Sequence, residues 1–96
     1  MARRGEPDLS FRQISILLEI YLQPAPHTVR DLAAKLNVTK PVITRALDSM
    51  GRLGLVSRSR DPQDRRSVLV KRTVNGALFV ERFGDLIVSK AAGLSR

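Results

Sequence analysis

Six basic side chains crowd into residues 57–72, SRSRDPQDRRSVLVKR: Arg58, Arg60, Arg65, Arg66, Lys71 and Arg72, against only Asp61 and Asp64. Guanidinium and ammonium groups at this density suit one chemistry above others, which is to meet a polyanion through charge-assisted hydrogen bonds. An enzyme rarely needs a solvent-facing finger so basic. The stretch also has a predicted shape. Pro62 fixes φ and the aspartates can bond their own backbone, so residues 61–66 form a polar tip. The flanking runs carry β-branched residues, most clearly Ser67-Val68-Leu69-Val70, and together they predict a β-hairpin.

Other chemistries find little to work with. The 96 residues contain no Cys, which removes disulfides, thiolate metal sites and thiol redox sensing. One histidine, His27, cannot build a metal site or a His-paired catalytic site unaided. There is no acid–base pair, nucleophile constellation or phosphate-binding glycine loop, so no enzyme activity and no cofactor are expected. Apolar residues make up 43%, enough for one modest core. No apolar run approaches the roughly 20 residues that span a bilayer. The expectation is a soluble cytoplasmic, nucleoid-associated protein without a membrane partner.

The net charge of +8 is unevenly placed. Residues 1–27 balance to zero, whereas residues 52–72 carry seven basic and two acidic side chains. A localised basic patch is the electrostatic footprint of nucleic-acid binding, with a solvated charged surface as the plainer alternative.

The elements that must hold this finger follow from periodicity. Residues 1–7 read as a disordered basic arm whose Arg3 and Arg4 could follow a DNA groove. Residues 8–96 read as a single domain. Asp8 or Ser10 can cap a helix to about Leu22, with Phe11, Ile14, Leu17, Leu18, Tyr21 and Leu22 on its buried face. Prolines at 24 and 26 stop it. Thr28 caps a short helix, Val29–Leu36, with Leu32, Ala33 and Leu36 inward. A break at Asn37-Val38 follows, because Asn tolerates the left-handed conformation. Thr39 then caps a second helix from Lys40 to about Leu53, with Pro41 in its first turn and an inner stripe of Ile43, Ala46, Leu47 and Met50. The hairpin occupies residues 55–72. Thr73 caps a last helix over residues 74–92. One stripe of that helix holds Leu78 or Phe79, Phe83, Leu86 and Ile87. A second set, Val80, Gly84, Val88 and Ala91, with Ile87 beside it, predicts contact with another copy of the chain. A lattice contact and a frayed C-terminal end are the alternatives. His27 reads as an exposed loop residue, although a short strand near residues 27–29 could join the hairpin.

A short helix, a tight break and a longer helix form a helix-turn-helix, in which the second helix lies in the DNA major groove. With the hairpin following, the order is helix, short strand, helix, helix, strand, strand, helix. That is an α+β, mostly helical winged helix-turn-helix. At residues 28–72 the chain resembles the MarR family of transcriptional regulators. The matching features are DLAAKL in the bracing helix, TKPVITRALDSM in the recognition helix, Gly54-Leu55-Val56 before the wing, the wing itself as DPQDRRSVLV with Asp64 and Arg66, and Thr73-x-x-Gly76 opening the next helix.

The resemblance implies double-stranded DNA as partner. It implies that Thr39, Lys40, Pro41, Val42, Thr44, Arg45 and Ser49 lie near the major groove, and that Arg66 of the wing reaches the minor groove. Asp64 would orient the wing by pairing with a neighbouring arginine. The residue chemistry agrees. Arg45 can offer two donors to a guanine edge or hold a phosphate, and both readings stay open. Val42 can touch a thymine methyl or pack half-buried. Thr39, Thr44 and Ser49 suit phosphate, as does Thr28 at a helix N-terminus. Arg58, Arg60 and Arg65 add to the basic wing, and Arg65 could exchange roles with Arg66. Asp48 is expected as an intrahelical partner of Arg45 or Arg52.

The sequence also departs from the pattern. Family members usually carry an extra N-terminal helix and a long C-terminal helix pair for dimerisation. This chain reads as a shortened member lacking most of that scaffold, so a small-molecule effector is doubtful. Arg72 stands where an apolar residue is common. The function expected is sequence-specific DNA binding by a homodimeric regulator. The alternative is a winged-helix interaction module that modulates a full-length regulator or the transcription machinery.

Overall fold

Local signals at its ends define each helix in the computed structural model, which describes residues 8–94; the expected basic arm lies outside the described residues. Helix α1 spans Phe11–Leu22 and opens with a reciprocal cap. The Ser10 hydroxyl accepts the Gln13 backbone N–H at 3.1 Å, and the Gln13 side chain accepts the Ser10 N–H at 2.8 Å. Strand β1 is the dipeptide His27–Thr28. Helix α2, Val29–Leu36, starts where the Thr28 hydroxyl accepts the Asp31 N–H at 3.0 Å. It ends at Asn37, whose φ of 56° is left-handed, as expected from its residue type.

Helix α3 spans Lys40–Arg52, with Pro41 in the first turn, where its missing N–H is harmless. Thr39 has the extended backbone of a cap, but its hydroxyl makes no capping hydrogen bond. At the other end Gly54 turns the chain with a φ of +75°, and the Leu55 N–H reaches back to the Met50 carbonyl at 2.9 Å. A side chain at Gly54 would be strained in that conformation.

Strands β2, Val56–Arg60, and β3, Val68–Arg72, form the hairpin; β1 adds on the far side, giving an antiparallel sheet in the order β1-β3-β2. Val56 lies opposite Arg72, and Arg60 opposite Val68. Helix α4 runs over Val74–Leu94.

The core sits where α1, α2 and α3 meet the root of the sheet. Ile16, Leu17, Ile20, Leu32, Ile43, Leu47 and Met50 are fully buried there, with Leu55, Val56 and Val70 closing it from the hairpin. The inner stripe expected of α3 is the one observed. The face expected of α1 is so only in part: Leu17 is buried and Tyr21 packs against the core as expected. Ile16 and Ile20 are buried, whereas Phe11 and Leu22 are largely exposed. Apolar residues surround this helix almost completely, so spacing alone does not choose the face that α2 and α3 cover.

Two further expectations are corrected. His27 is buried, not an exposed loop residue: it pairs with Val70 in the sheet, and its Nε2 lies 3.1 Å from the Gln23 carbonyl. Among the described residues, the first turns of α4 are the part that packs against the core. Phe79 and Val80 pack against the core, so Val80 turns inward rather than outward with the second set. Leu86, Ile87 and Val88 are exposed, so beyond Gly84 the side expected to pack within the chain is open as well.

Candidate nucleic-acid interface

Among the described residues, three grooves border helix α3, and most of its outward side chains line one of them. The first groove, about 350 Å³, lies between the start of α2, α3 and the hairpin. Thr28, Arg30 and Asp31 line it from α2's side, Lys40 and Thr44 from α3, and Asp64 and Arg66 from the hairpin. The second, about 340 Å³, lies between the start of α1 and α3; Arg12 faces Val42, Arg45 and Ser49 across it. The third runs along the end of α3 beside β2, bordered by Asp48, Arg52, Ser57 and Arg58. A ridge with a hollow on either side has the relief that a helix needs to enter a groove while backbone phosphates run along its flanks.

The hairpin tip is built mostly from its own backbone. The Asp61 N–H donates to the Ser67 carbonyl at 3.0 Å, and the Ser67 N–H to the Asp64 carbonyl at 2.9 Å. Two aspartate side chains tighten the bends: Asp61 accepts the Gln63 N–H at 2.9 Å, and Asp64 accepts the Arg66 N–H at 3.1 Å. Arg60 spans the tip to the Arg65 carbonyl at 2.6 Å. Asp64 thus fixes the chain at Arg66 through the backbone. Among the described residues no arginine side chain pairs with it, which corrects the expected guanidinium contact.

Arg65 and Arg66 are both exposed, and neither guanidinium has a partner among the described residues. Only Arg66 borders the first groove. That geometry separates two residues which sequence alone left interchangeable.

Arg58 and Arg60 are differently placed. Alternation along β2 puts them on the face of Val56, opposite Val70 and Val68. There Arg58 donates to the Asp48 carboxylate at 2.7 Å. The partner of Asp48 is therefore this strand residue and not Arg45 or Arg52 of its own helix. Arg52 instead reaches the Ser49 hydroxyl at 3.5 Å, a long and weak contact. Two of the expected wing contacts, Arg58 and Arg60, are thus engaged inside the chain.

The root of the hairpin is locked to α1 and α4. Tyr21 of α1 donates its hydroxyl to the Leu55 carbonyl at 2.6 Å and accepts the Thr73 N–H at 2.9 Å. Thr73 donates to the Gly54 carbonyl at 2.7 Å and caps α4 by accepting the Gly76 N–H at 2.9 Å. A Cβ on Gly76 would overlap the Tyr21 hydroxyl and the Leu55 carbonyl, so the close approach requires glycine. Arg72, out of pattern in the sequence, has its own task. It lies over the Tyr21 ring and donates to the carbonyls of Ile20 at 2.9 Å and Gln23 at 2.8 Å. These carbonyls belong to the end of α1, where a cation meets unsatisfied acceptors and the negative end of the helix dipole.

The fold brings Thr28, Lys40, Thr44 and Arg66 to one groove and Val42, Arg45 and Ser49 to another. Val42 is half-buried there. Thr39 and Pro41 are exposed at the start of α3. Sequence reasoning did not single out Arg12 and Arg30. Each lies in the first turn of its helix, and only the packing of α1 and α2 around α3 gives either a groove to line.

Residues 9–68 match the model of the MarR family. The chain is 40% identical over 82 residues to the HTH-type transcriptional repressor YetL of Bacillus subtilis, covering 85% of this chain and 48% of that one. It is 36% identical over 69 residues to the organic hydroperoxide resistance transcriptional regulator of the same organism, covering 72% and 46%. Among solved structures, a mutant MarR from E. coli complexed with operator DNA superposes with a TM-score of 0.76 at 35% identity, over 83% of this chain and 56% of that one. The chain spans about half the length of the curated relatives it matches.

Proposed function

The chain belongs to the MarR family, and on that premise we propose that it is a sequence-specific double-stranded DNA-binding transcriptional regulator. In this reading α3 enters the major groove and Arg66 reaches the adjacent minor groove. The observation that carries it is the first groove. Thr28, Lys40, Thr44 and Arg66 come from separate places in the chain and border one hollow, with the Arg66 guanidinium free among the described residues. Thr28 stands at a helix N-terminus, which favours a phosphate. Lys40 adds charge without geometry, and Arg66 adds a planar fork suited to a groove edge. Arg45 stands on the other flank of α3, with bases and phosphate both in reach.

Binding of this kind draws most of its affinity from counterion release, so it falls steeply as salt rises. The operator DNA bound in the E. coli MarR structure supports the partner class. Incubation with sheared genomic DNA at low salt, recovery of the bound fragments and their sequencing tests the reading. Recovery of fragments sharing one motif is expected. Failure to retain any DNA at low salt removes the reading.

The exposed Ile87, Val88 and Ala91 of α4, with Gly84 half-buried beside them, support a homodimer through this helix. A pair of copies would place two α3 helices on a DNA site with two-fold symmetry. The same surface would serve a different protein partner if the chain acts as an interaction module. Co-purification of another protein, with no DNA retained, is the result that favours that second reading.

A further inference from the structure

A helix lying in the major groove has phosphates on both sides of it, because the groove is only about 12 Å wide and each wall is one strand's backbone. The first groove beside α3 accounts for one wall. The second groove, at the start of α1, stands on the other flank. Arg12 lines it from α1 and Arg45 from α3, with the Ser49 hydroxyl beside them. Among the described residues neither the Arg12 nor the Arg45 side chain has a hydrogen bond or ion pair, and both residues are exposed. The nearby carboxylate on α3, Asp48, is turned away to Arg58. Two unpaired guanidinium groups thus face one hollow with no acidic side chain among its lining residues. Like charges so arranged repel unless an anion lies between them.

The helix end itself is not the attraction. The Ser10–Gln13 capping box already satisfies donors at the start of α1. The free groups are the side chains.

We infer that this hollow seats a backbone phosphate of the DNA strand opposite the one held at the first groove, with Arg12 as a phosphate contact contributed from outside the helix-turn-helix and wing. The inference rests on the proposed DNA binding and adds a residue and a strand to it. Arg12 then acts as a sequence-independent clamp. It fixes how far α3 rolls in the groove while leaving base reading to α3.

The test compares Arg12→Ala, Arg12→Lys and Arg66→Ala with the unaltered protein, by fluorescence anisotropy over a series of salt concentrations. The probes are one retained genomic fragment and one random duplex. Arg12→Ala is expected to weaken binding about three- to tenfold on both DNAs and to lower the salt slope by about one. Arg12→Lys should keep the slope. Replacing single phosphates of the fragment by methylphosphonate should expose one position whose neutralisation adds nothing further in Arg12→Ala. Circular dichroism should show both Arg12 variants folded, since the side chain is exposed and unbonded. An unchanged isotherm for Arg12→Ala, alongside a weakened one for Arg66→Ala, overturns this inference and leaves the DNA reading standing. A loss confined to the genomic fragment with an unchanged slope overturns the phosphate assignment. No DNA bound by the unaltered protein at low salt removes both.

Discussion

Arg58 of β2 donates to the carboxylate of Asp48 in α3 at 2.7 Å, tying the hairpin to the helix proposed to lie in the major groove. Both side chains are part-exposed, so the pair adds little to stability, about 0–1 kcal/mol. Its larger effect is on charge: it holds one carboxylate and one guanidinium together on the surface proposed to face DNA. Asp48→Ala removes a group that phosphates repel and frees Arg58. Binding to random duplex should tighten a few-fold at low salt, with a steeper salt dependence. Anisotropy titrations check this, and weaker binding to random DNA would sink it.

The Tyr21 hydroxyl is the hub of the hairpin root. Tyr21→Phe leaves the Leu55 carbonyl and the Thr73 N–H without their partner in a part-buried site, a loss of about 1–3 kcal/mol. Gly76→Ala should cost roughly 1–3 kcal/mol by overpacking, despite the better helix propensity of alanine. Urea unfolding followed by circular dichroism measures both. A Tyr21→Phe variant as stable as the unaltered protein would contradict the hub.

What the sequence made legible, and what it did not, follows from the range of the interactions. The stripe Ile43, Ala46, Leu47 and Met50 is a period of 3.6 written within one helix, and the helix-turn-helix is read from it directly. The Asn37 break and the Thr28 cap are equally local. His27 and Asp48 mislead because their partners, Val70 and Arg58, come from strands whose register sequence does not print. Arg72 reads as an anomaly until the end of α1 is seen beneath it. The groove pairing Arg12 with Arg45 exists only once α1 packs across α3.

Arg72→Met keeps the length of the stem and removes the two hydrogen bonds to the Ile20 and Gln23 carbonyls. The loss should be about 1 kcal/mol, reduced from a buried pair because the residue is exposed. Faster amide hydrogen exchange in the last turn of α1, with little change in α3, is the expected signature. Uniform exchange across both helices would show that Arg72 does not act locally.

If α4 pairs two copies, a charge on its open face should part them. Val88, 68% exposed, is far from the core, so Val88→Glu leaves the fold intact. Sedimentation equilibrium should give a dimer mass for the unaltered protein and a monomer mass for the variant. A monomer mass for the unaltered protein would remove the pairing.

The Arg66 guanidinium, without a partner among the described residues and set over the first groove, is central to the proposed DNA binding. Equilibrium titration of one retained genomic fragment with the unaltered protein and with Arg66→Ala, at a single salt concentration, tests it most directly. The variant should bind more weakly by roughly 1–3 kcal/mol, while unfolding at the same urea concentration. Superimposable isotherms would contradict the assignment of the wing to DNA.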